Sequence, residues 1–271
     1  MNHTLGLAAL GAAAVVAVMT LLWLLGIRQR NMSYVDVGWS ANFALLALVY
    51  GFFGHGDPSR RVLAATMFAL WSIRLAAHLA RRIVGEPEEG RYQELRRKWG
   101  GAGAARLNAH FYGFFLLQGA LNVFLSLPLL VACENATAGI SALEWLAFGV
   151  WVIGLAGEAL ADRQLRDFKR EVRKPGQVCE RGLWHYSRHP NYFFEWTVWV
   201  AYALLALASP PLGYFGPLMP ALMLYFLLKV TGIPATEEQA LRSKGEAYRD
   251  YQRRTSAFVP WWPRASEKGL T

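Results

Sequence analysis

Long apolar stretches constrain this chain more than any other feature of its sequence. A run of about 20 apolar residues is long enough to cross a bilayer as a helix. Backbone polar groups in hydrocarbon must be satisfied within the protein, so such runs form helices rather than open strands. Seven runs of this kind occur in the 271 residues, and they predict an all-α integral membrane protein with seven transmembrane helices. The runs are Leu5–Ile27, Gly38–Gly54, Val62–Ala80, Phe111–Ala132, Ile140–Ala161, Tyr192–Ala208 and Leu212–Val230.

The distribution of Lys and Arg predicts how these helices are oriented. The segments after the first, third, fifth and seventh runs are basic, whereas Cys133–Gly139 and Ser209–Pro211 contain no Lys or Arg. Arg60 and Arg61, after the second run, are the exception. We therefore expect the N-terminus outside and the C-terminus in the cytoplasm. The formal charge of +9 is then mainly an orientation signal, and no nucleic-acid partner is expected.

The organisation along the chain is uniform. Neither an internal repeat nor a low-complexity linker is visible, so we predict a single seven-helix membrane domain over residues 1–271. The two cysteines, Cys133 and Cys179, fall on opposite sides of the membrane in this topology. A disulfide and a cysteine-based zinc site are therefore not expected.

The stretch GLWHYSRHPNYFFE, from Gly182 to Glu195, joins a basic loop to an apolar helix. Proline suits the first position of a helix, so Pro190 is expected to open this one. Asn191, Glu195 and Trp199 then share one helix face, because they are four residues apart. A carboxylate at membrane depth costs about 2.5–3.5 kcal/mol, which favours a functional role for Glu195. The alternative is that Glu195 stays at the water boundary and caps its neighbours.

Two other runs carry polar residues at membrane depth. Asp36 lies at the entrance to the second run, where it is either a first-turn acid favoured by the helix dipole or a buried, protonated site acid. In the third run, Arg74 must face the bundle interior or a wet cavity, where it could pair with Asp36 or Glu195. It belongs to a polar stripe at helical spacing that comprises Trp71, Arg74, His78 and Arg81.

Two short helices are expected outside the apolar runs. Alternating Glu and Arg predict an amphipathic interfacial helix from Gly90 to Trp99, closed by Gly100 and Gly101. The tail predicts one charged, aromatic helix, which is either a plain surface helix or a lid over a cytoplasmic cavity. It carries Glu237, Glu238, Arg242, Gly245, Tyr248 and Tyr251.

A basic stripe follows the fifth run. Glu158 and Asp162 share a face at its cytoplasmic end, and Arg163, Arg166, Arg170 and Arg173 continue at spacings of three, four and three. Such a stripe can simply hold anionic lipids. Arginines also bind phosphates bidentately, and carboxylates accept hydrogen bonds from sugar hydroxyls, a combination that suits a dinucleotide. No G-x-G-x-x-G follows a predicted strand, so a Rossmann site is excluded.

Several of these motifs resemble one known family. Arg173-Lys174-Pro175-Gly176, Gly182-Leu183-Trp184-His185-Tyr186, Asn191-Tyr192-Phe193-Phe194-Glu195 and the Tyr251 to Pro260 tail are similar to the C-terminal domain of steroid 5α-reductases and related membrane sterol reductases. The resemblance covers most of the chain and is strongest from Glu158 onward, and it implies that the C-terminal half, about residues 108–263, is the cofactor-binding part. The likeness is greatest to bacterial relatives in this family, which implies a bacterial inner-membrane protein. It implies a seven-helix fold that binds NADPH in a cytoplasmic cavity and transfers a hydride to a conjugated steroid-like or other lipophilic enone.

The resemblance also implies roles for individual residues. It gives Asn191 and Glu195 the nicotinamide end of NADPH, Glu158 and Asp162 the adenosine or ribose portion, and Arg173 a phosphate. Trp199 is expected to form a wall of the pocket. Arg82, Tyr186, His189 and Glu238 complete the expected cofactor-binding set. The expected catalytic residues are Glu195, Trp71, which stands where the family has a carbonyl-polarising Tyr, and Asp36 as the partner acid. No metal site is expected.

This chain departs from the family pattern at several positions. Trp71 offers an indole N–H but no transferable proton, and Phe194 replaces the Gly of the usual N-Y-F-G-E, which narrows the space beside Glu195. Arg188-His189-Pro190 and the pair Glu237-Glu238 also resemble membrane methyltransferases of the isoprenylcysteine type. An S-adenosylmethionine-dependent methyltransferase is therefore the alternative function. Expected partners are a lipophilic small molecule and membrane lipid.

Overall fold

The computed structural model describes residues 2–171, 176–230 and 232–264. These residues are mostly helical, with an isolated bridge between Ser187 and Ser256 and no β-strand, in agreement with the all-α prediction. Two 3-10 segments, Gly100–Ala102 and Leu212–Phe215, and a π-helical segment, Phe226–Val230, supplement the α-helices. The α-helices are α1 (Asn2–Gln29), α2 (Tyr34–Phe53), α3 (Pro58–Ile83), α4 (Gly90–Trp99), α5 (Ala104–Leu125), α6 (Leu127–Glu134), α7 (Ala142–Glu171), α8 (Leu183–Tyr186), α9 (Pro190–Leu207), α10 (Leu218–Tyr225), α11 (Ile233–Lys244) and α12 (Glu246–Arg254).

Within the described part of the chain, five helical segments are long and apolar enough to cross a membrane, or six if a bent pair counts as one span. The five are α1, α2, α3, α7 and the segment Leu212–Lys244, and the bent pair is α5 with α6. This agrees with an integral membrane protein. The sixth predicted run does form a helix, α9, but α9 is not among these candidates. Its 18 residues include Asn191 and Glu195, which lower its mean hydropathy, so the seventh span stays a prediction.

Two of the predicted spans are broken rather than continuous. The fourth run bends by 41° between α5 and α6. Pro128 lies in the first turn of α6, where its missing N–H ends the hydrogen-bond ladder of the preceding helix. The last run divides into a 3-10 segment, α10 and a π-helical segment. Pro217 and Pro220 lie at the start of α10 and explain why one uninterrupted helix does not form there.

The two predicted short helices differ in outcome. The helix predicted from Gly90 to Trp99 is confirmed, because α4 spans these residues and a 3-10 turn at Gly100–Ala102 follows it. Its interfacial position stays a prediction. The prediction of one tail helix is wrong, since α11 ends at Lys244 and α12 begins at Glu246. Gly245 between them has φ +54°, a left-handed conformation that glycine adopts without steric cost and that interrupts a helix.

The chain divides into two compact units. The first consists of residues 1–141 and 205–214, and the second of residues 142–204 and 215–271. In the first unit α2 packs mainly against α3, around buried Phe43, Phe68 and Trp71. In the second unit Leu227, Ile233 and Phe258 form a buried cluster with side chains of α9 around it. The single domain over residues 1–271 stays a prediction.

Candidate functional site

Helices α7 and α9 approach each other closely in the second unit. A Cβ on Gly154 would lie 3.0 Å from Val198 N, and one on Gly157 would lie 2.3 Å from the Phe194 ring. These two glycines therefore allow α9 to lie almost against the backbone of α7. Glu158 follows Gly157 and is 2% exposed, and Glu195 follows Phe194. The close approach thus brings the segments that carry the two predicted acids together.

Asn191 and Trp199 share α9 with Glu195, as predicted. Pro190 is the first residue of α9, which confirms the predicted helix start. Trp199 is fully buried, and its ring packs at 5.5 Å from that of Tyr202. The side-chain oxygen of Asn191 is buried, and among the described residues no group donates a hydrogen bond to it. Leaving a buried acceptor without a donor costs about 1–3 kcal/mol of stability, so the Asn191 oxygen is suited to a ligand that carries a hydrogen-bond donor.

Helix α8 fastens the motif before α9 to the side of α7. The indole of Trp184 donates to the Ala161 carbonyl at 2.9 Å, and Leu183 N donates to Gln164 Oε1 at 2.9 Å. Gly182 has φ +60°, and a Cβ there would meet the Gln164 side chain at 2.3 Å. The glycine of this motif is therefore required both by its backbone conformation and by the lack of space.

Arg188 and His189 meet Glu237, a residue for which the sequence predicted no site role. Arg188 Nε donates to Glu237 Oε1 at 2.7 Å, and His189 Nε2 lies 3.3 Å from the same oxygen. Gln252 donates to the other carboxylate oxygen at 2.9 Å. The imidazole of His189 stacks on Tyr192 with ring centroids 5.4 Å apart. The signal in the sequence that pointed to this contact was the resemblance to methyltransferases, because it rests on both the R-H-P motif and the E-E pair.

The C-terminal tail holds this cluster from the other side. Tyr251 donates its hydroxyl to the carbonyls of Trp184 and Ser187, and Ser187 Oγ donates to the Phe258 carbonyl at 2.8 Å. Burial raises the pKa of Tyr251 above its usual value, so its hydroxyl stays a donor at neutral pH. The motif from Gly182 to His189 is therefore fixed in position by residues about 70 positions away in the sequence.

The remaining predicted cofactor residues of the second unit have other surroundings. Asp162 is half-buried on α7, and Tyr186 packs edge-on against Trp262 at 5.3 Å. Glu238 is largely exposed and pairs with Arg242 on its own helix. Arg163, Arg166 and Arg170 are exposed along α7, where Arg163 lies 3.6 Å from Asp167. Arg173 lies outside the described residues.

In the first unit, Asp36 belongs to a polar cluster that reaches α4. Arg91 forms an ion pair with Asp36, and the Tyr92 hydroxyl donates to Asp36 Oδ1 at 2.7 Å. Burial lowers the pKa of Arg91, but the Asp36 carboxylate outweighs this and raises it overall. Burial and the same carboxylate raise the pKa of Tyr92 well above its usual value. Asp36 therefore contacts one guanidinium and one phenol, and Tyr92 is a neutral phenol.

The other two predicted residues of the first unit have different surroundings. Trp71 is fully buried, and its ring packs edge-to-face at 6.5 Å from Trp39 and 5.5 Å from Phe43. Arg82 is about half-exposed at the end of α3 and pairs with Glu89 at 2.8 Å. The catalytic role of Trp71 and the cofactor role of Arg82 stay predictions.

Metal ligands and reactive thiols give no further site in the described part of the chain. Among the described residues no group of three or more His, Cys, Asp or Glu side chains could hold a metal ion. Cys133 and Cys179 are both free and buried. Burial raises the pKa of Cys179, so its thiol is not a ready nucleophile at neutral pH.

Comparison with known proteins places the chain in a family. An uncharacterised protein of the fission yeast Schizosaccharomyces pombe is 25% identical over 274 aligned residues, which cover 88% of this chain and 75% of the yeast protein. No solved structure gives a significant match. The model of a family described as "Protein of unknown function (DUF1295)" matches residues 22–255. Since this match spans most of the sequence, the chain belongs to the DUF1295 family.

Proposed function

We propose that this protein is a membrane reductase that binds NADPH from the cytoplasm and reduces the conjugated C=C bond of a lipophilic enone. The proposal includes α9 as the sixth of seven spans and a cofactor cavity open to the cytoplasm. Its motifs are those that resemble the steroid 5α-reductases. NADPH, when bound, would supply the hydride for the β-carbon of the enone.

The observation that carries the proposal is the buried side-chain oxygen of Asn191, which accepts no hydrogen bond from the described residues. The carboxamide N–H of a nicotinamide is a donor that would satisfy it. Glu195 follows one helical turn later on the same face and can accept from the same group. The residues present therefore fit the nicotinamide end of the coenzyme.

The charges along α7 favour a phosphorylated coenzyme. Glu158 is buried beside the α7–α9 contact, and Arg163, Arg166 and Arg170 follow it along the exposed part of the helix. Arginine forks bind phosphate oxygens bidentately, whereas S-adenosylmethionine carries no phosphate. This succession of a carboxylate and then guanidinium groups supports a dinucleotide over the methyl donor.

For the carbonyl of the enone we propose Trp71, whose indole N–H can donate a hydrogen bond to a developing oxyanion. Asp36 is the proposed partner acid. The Tyr92 hydroxyl donates its one proton to Asp36, so Tyr92 supports that carboxyl group rather than the carbonyl.

The methyltransferase alternative has one observation in its favour. The R-H-P motif and the E-E pair resemble that class, and Arg188 and His189 both contact Glu237. This contact would also be needed simply to fix the motif next to α9. A methyltransferase therefore stays the second candidate.

Titration of the purified protein with NADPH and with S-adenosylmethionine distinguishes the reductase from the methyltransferase. The shift in unfolding temperature reports binding of each ligand. We expect NADPH to bind and S-adenosylmethionine not to. Asn191→Ala should weaken NADPH roughly tenfold, the value of one net hydrogen bond, and Glu195→Gln should weaken it without unfolding the protein. Thr197→Ala is the matched control, because its hydroxyl bonds to Phe193 O within α9. Unchanged NADPH affinity in both site variants would refute the assignment.

A further inference from the structure

Residues 255–264, which we call the C-terminal strap, lie against the motif that precedes α9. The Arg188 N–H donates to the Ser256 carbonyl at 2.8 Å, and the Trp261 N–H donates to the Tyr186 carbonyl at 2.9 Å. These backbone hydrogen bonds, one in each direction, fix one side of the strap to the end of α8 and the residues after it. The position of the strap is therefore set by that motif.

The strap has a buried and an exposed side. Phe258 is buried, and its ring packs 6.0 Å from that of Trp196 on α9. Val259, Trp261 and Trp262 are instead 52%, 70% and 74% exposed. Three large exposed apolar side chains within four residues form a patch, and such a patch marks a surface that contacts a membrane or another protein.

Contacts with α7 place the motif, and with it the strap, at the level of the membrane boundary. Helix α7 is one of the candidate spans, and its apolar part ends at Ala161, after which most of residues 162–171 are charged. Trp184 of α8 donates to the Ala161 carbonyl, so α8 lies beside this transition. Tyr186, which accepts from Trp261, is two residues after Trp184, no more than about 7 Å along the chain. The polar headgroup layer is itself roughly 5–8 Å thick on each side of the bilayer, so the strap lies at its level.

The chemistry of the exposed side favours lipid over a partner protein. Tryptophan combines a large apolar ring with an N–H donor, and it is enriched where a membrane meets water. The strap contains no acidic residue and ends in the exposed Arg264, so it complements a surface of anionic headgroups. A partner protein could bind at any depth, so the match between the strap and the membrane boundary points to the bilayer.

We propose that the C-terminal strap is a membrane-surface anchor, with Val259, Trp261 and Trp262 seated in the headgroup region of the bilayer that α7 crosses. The inference goes beyond the proposed function and does not depend on it, because no contact with a coenzyme is involved. Through its hydrogen bonds to Tyr186 and Arg188, the anchored strap also holds the start of α9 in position.

Spin labelling of the full-length protein in lipid nanodiscs tests the anchor. In a Cys133→Ser, Cys179→Ser background, a nitroxide is attached at Val259→Cys, which keeps both tryptophans of the strap. The matched control is Arg249→Cys on α12, because Arg249 is 64% exposed and pairs with the exposed Glu246. The discs contain phosphatidylcholine and phosphatidylglycerol. Power saturation compares collisions of each label with oxygen, which concentrates in lipid, and with a water-soluble nickel chelate.

We expect the label at position 259 to collide more with oxygen than with the nickel chelate, and the label at position 249 to show the reverse order. Adding Trp261→Ser and Trp262→Ser should shift the label at position 259 towards the nickel chelate. Adding Trp261→Phe and Trp262→Phe should shift it less, because phenylalanine keeps an apolar ring. The comparison of positions 259 and 249 keeps both tryptophans, so it decides the question even if the serine variant does not fold.

Two results would overturn the anchor. If the label at position 259 collides mainly with the nickel chelate, as at position 249, the strap faces water. If neither reagent reaches that label, protein such as a second copy of the chain covers the strap, and the assignment to lipid is wrong. A failure of the protein to bind NADPH would refute the proposed function but would leave the labelling result as it stands.

Discussion

Arg60 illustrates, at the scale of single residues, how one side chain can oppose a general charge rule for a local reason. It is 2% exposed, and its guanidinium donates to the carbonyls of Asn135, Thr137 and Gly139. Its neighbour Arg61 donates to carbonyls at the end of α2, including Gly54 O at 2.8 Å. These two arginines, the exception in the orientation pattern, therefore serve as caps for backbone carbonyls.

Replacing Arg60 by Ala should destabilise the protein by about 2–4 kcal/mol, since several carbonyls lose charged donors at once. Thermal unfolding of the detergent-solubilised protein, followed by tryptophan fluorescence, measures the effect. Arg97→Ala is the comparison, because Arg97 is 80% exposed and its nearest carboxylate, on Glu94, is 3.9 Å away. Equal unfolding temperatures for the two variants would contradict the capping role.

At the scale of elements, α7 and α9 show how a departure from a family motif is accommodated. Phe194 was expected to narrow the space beside Glu195, and the structure shows where its ring goes. The ring lies directly over Gly157, so close that a Cβ at that position would be 2.3 Å from it. A large side chain on α9 is thus matched by the absence of one on α7.

Gly157→Ala should therefore cost about 1–3 kcal/mol through overpacking, even though alanine favours helices. When Phe194 is already replaced by Ala, adding Gly157→Ala should lower the free energy of unfolding much less, because the ring that would clash is gone. A double-mutant cycle on unfolding free energies measures the coupling. Additive effects of the two changes would rule out the proposed complementarity.

The two adjacent glutamates of α11 give a second, internally controlled test at this scale. Glu237 is mostly buried against Arg188 and His189, with 16% of its side chain exposed, whereas Glu238 is 65% exposed and paired only within α11. Glu237→Gln should destabilise the packing of α11 on the Arg188–His189 motif by about 2–3 kcal/mol, because it leaves Arg188 without its carboxylate. Glu238→Gln should change stability by less than about 0.5 kcal/mol. Limited proteolysis of the tail and thermal unfolding distinguish them, and a larger effect at Glu238 would invert the interpretation.

At the scale of the whole molecule, the positions of Lys and Arg predict how the helices are oriented in the membrane. With Arg60 and Arg61 explained as caps, the remaining Lys and Arg distribution predicts Cys133–Gly139 outside and α4 in the cytoplasm. An introduced cysteine at Ala138 should react with a membrane-impermeant thiol reagent on intact cells. One at Arg97 should react only after the cells are opened. Both positions are exposed.

The native thiols make this experiment clean. Cys133 and Cys179 are buried, so the unmodified chain should give little labelling. A variant with both replaced by serine provides the background. If only the cysteine at position 97 is labelled on intact cells, the predicted orientation is reversed. If the cysteines at positions 97 and 138 are both labelled on intact cells, the prediction that a membrane span separates them is wrong.

The sequence alone determined the features that depend on nearby residues. Apolar runs predicted where most long helices form, the Glu–Arg alternation predicted α4, and Pro190 predicted where α9 begins. Each of these follows from hydropathy, periodicity or a backbone restriction within about 20 residues. The breaks at Pro128, Pro217 and Gly245 are also local, but a continuous apolar or charged pattern surrounds each of these residues and predicts an unbroken helix.

Only the tertiary structure decided which distant side chains meet. The pairing of Asp36 with Tyr92, the burial of Glu237 rather than Glu238 and the seating of Phe194 over Gly157 each join residues between 37 and 56 positions apart. No periodicity in either segment encodes such a partner, because contact depends on how whole helices pack. For this chain, local physical chemistry therefore predicts the helices and the residue types of the site, and packing alone selects the partners.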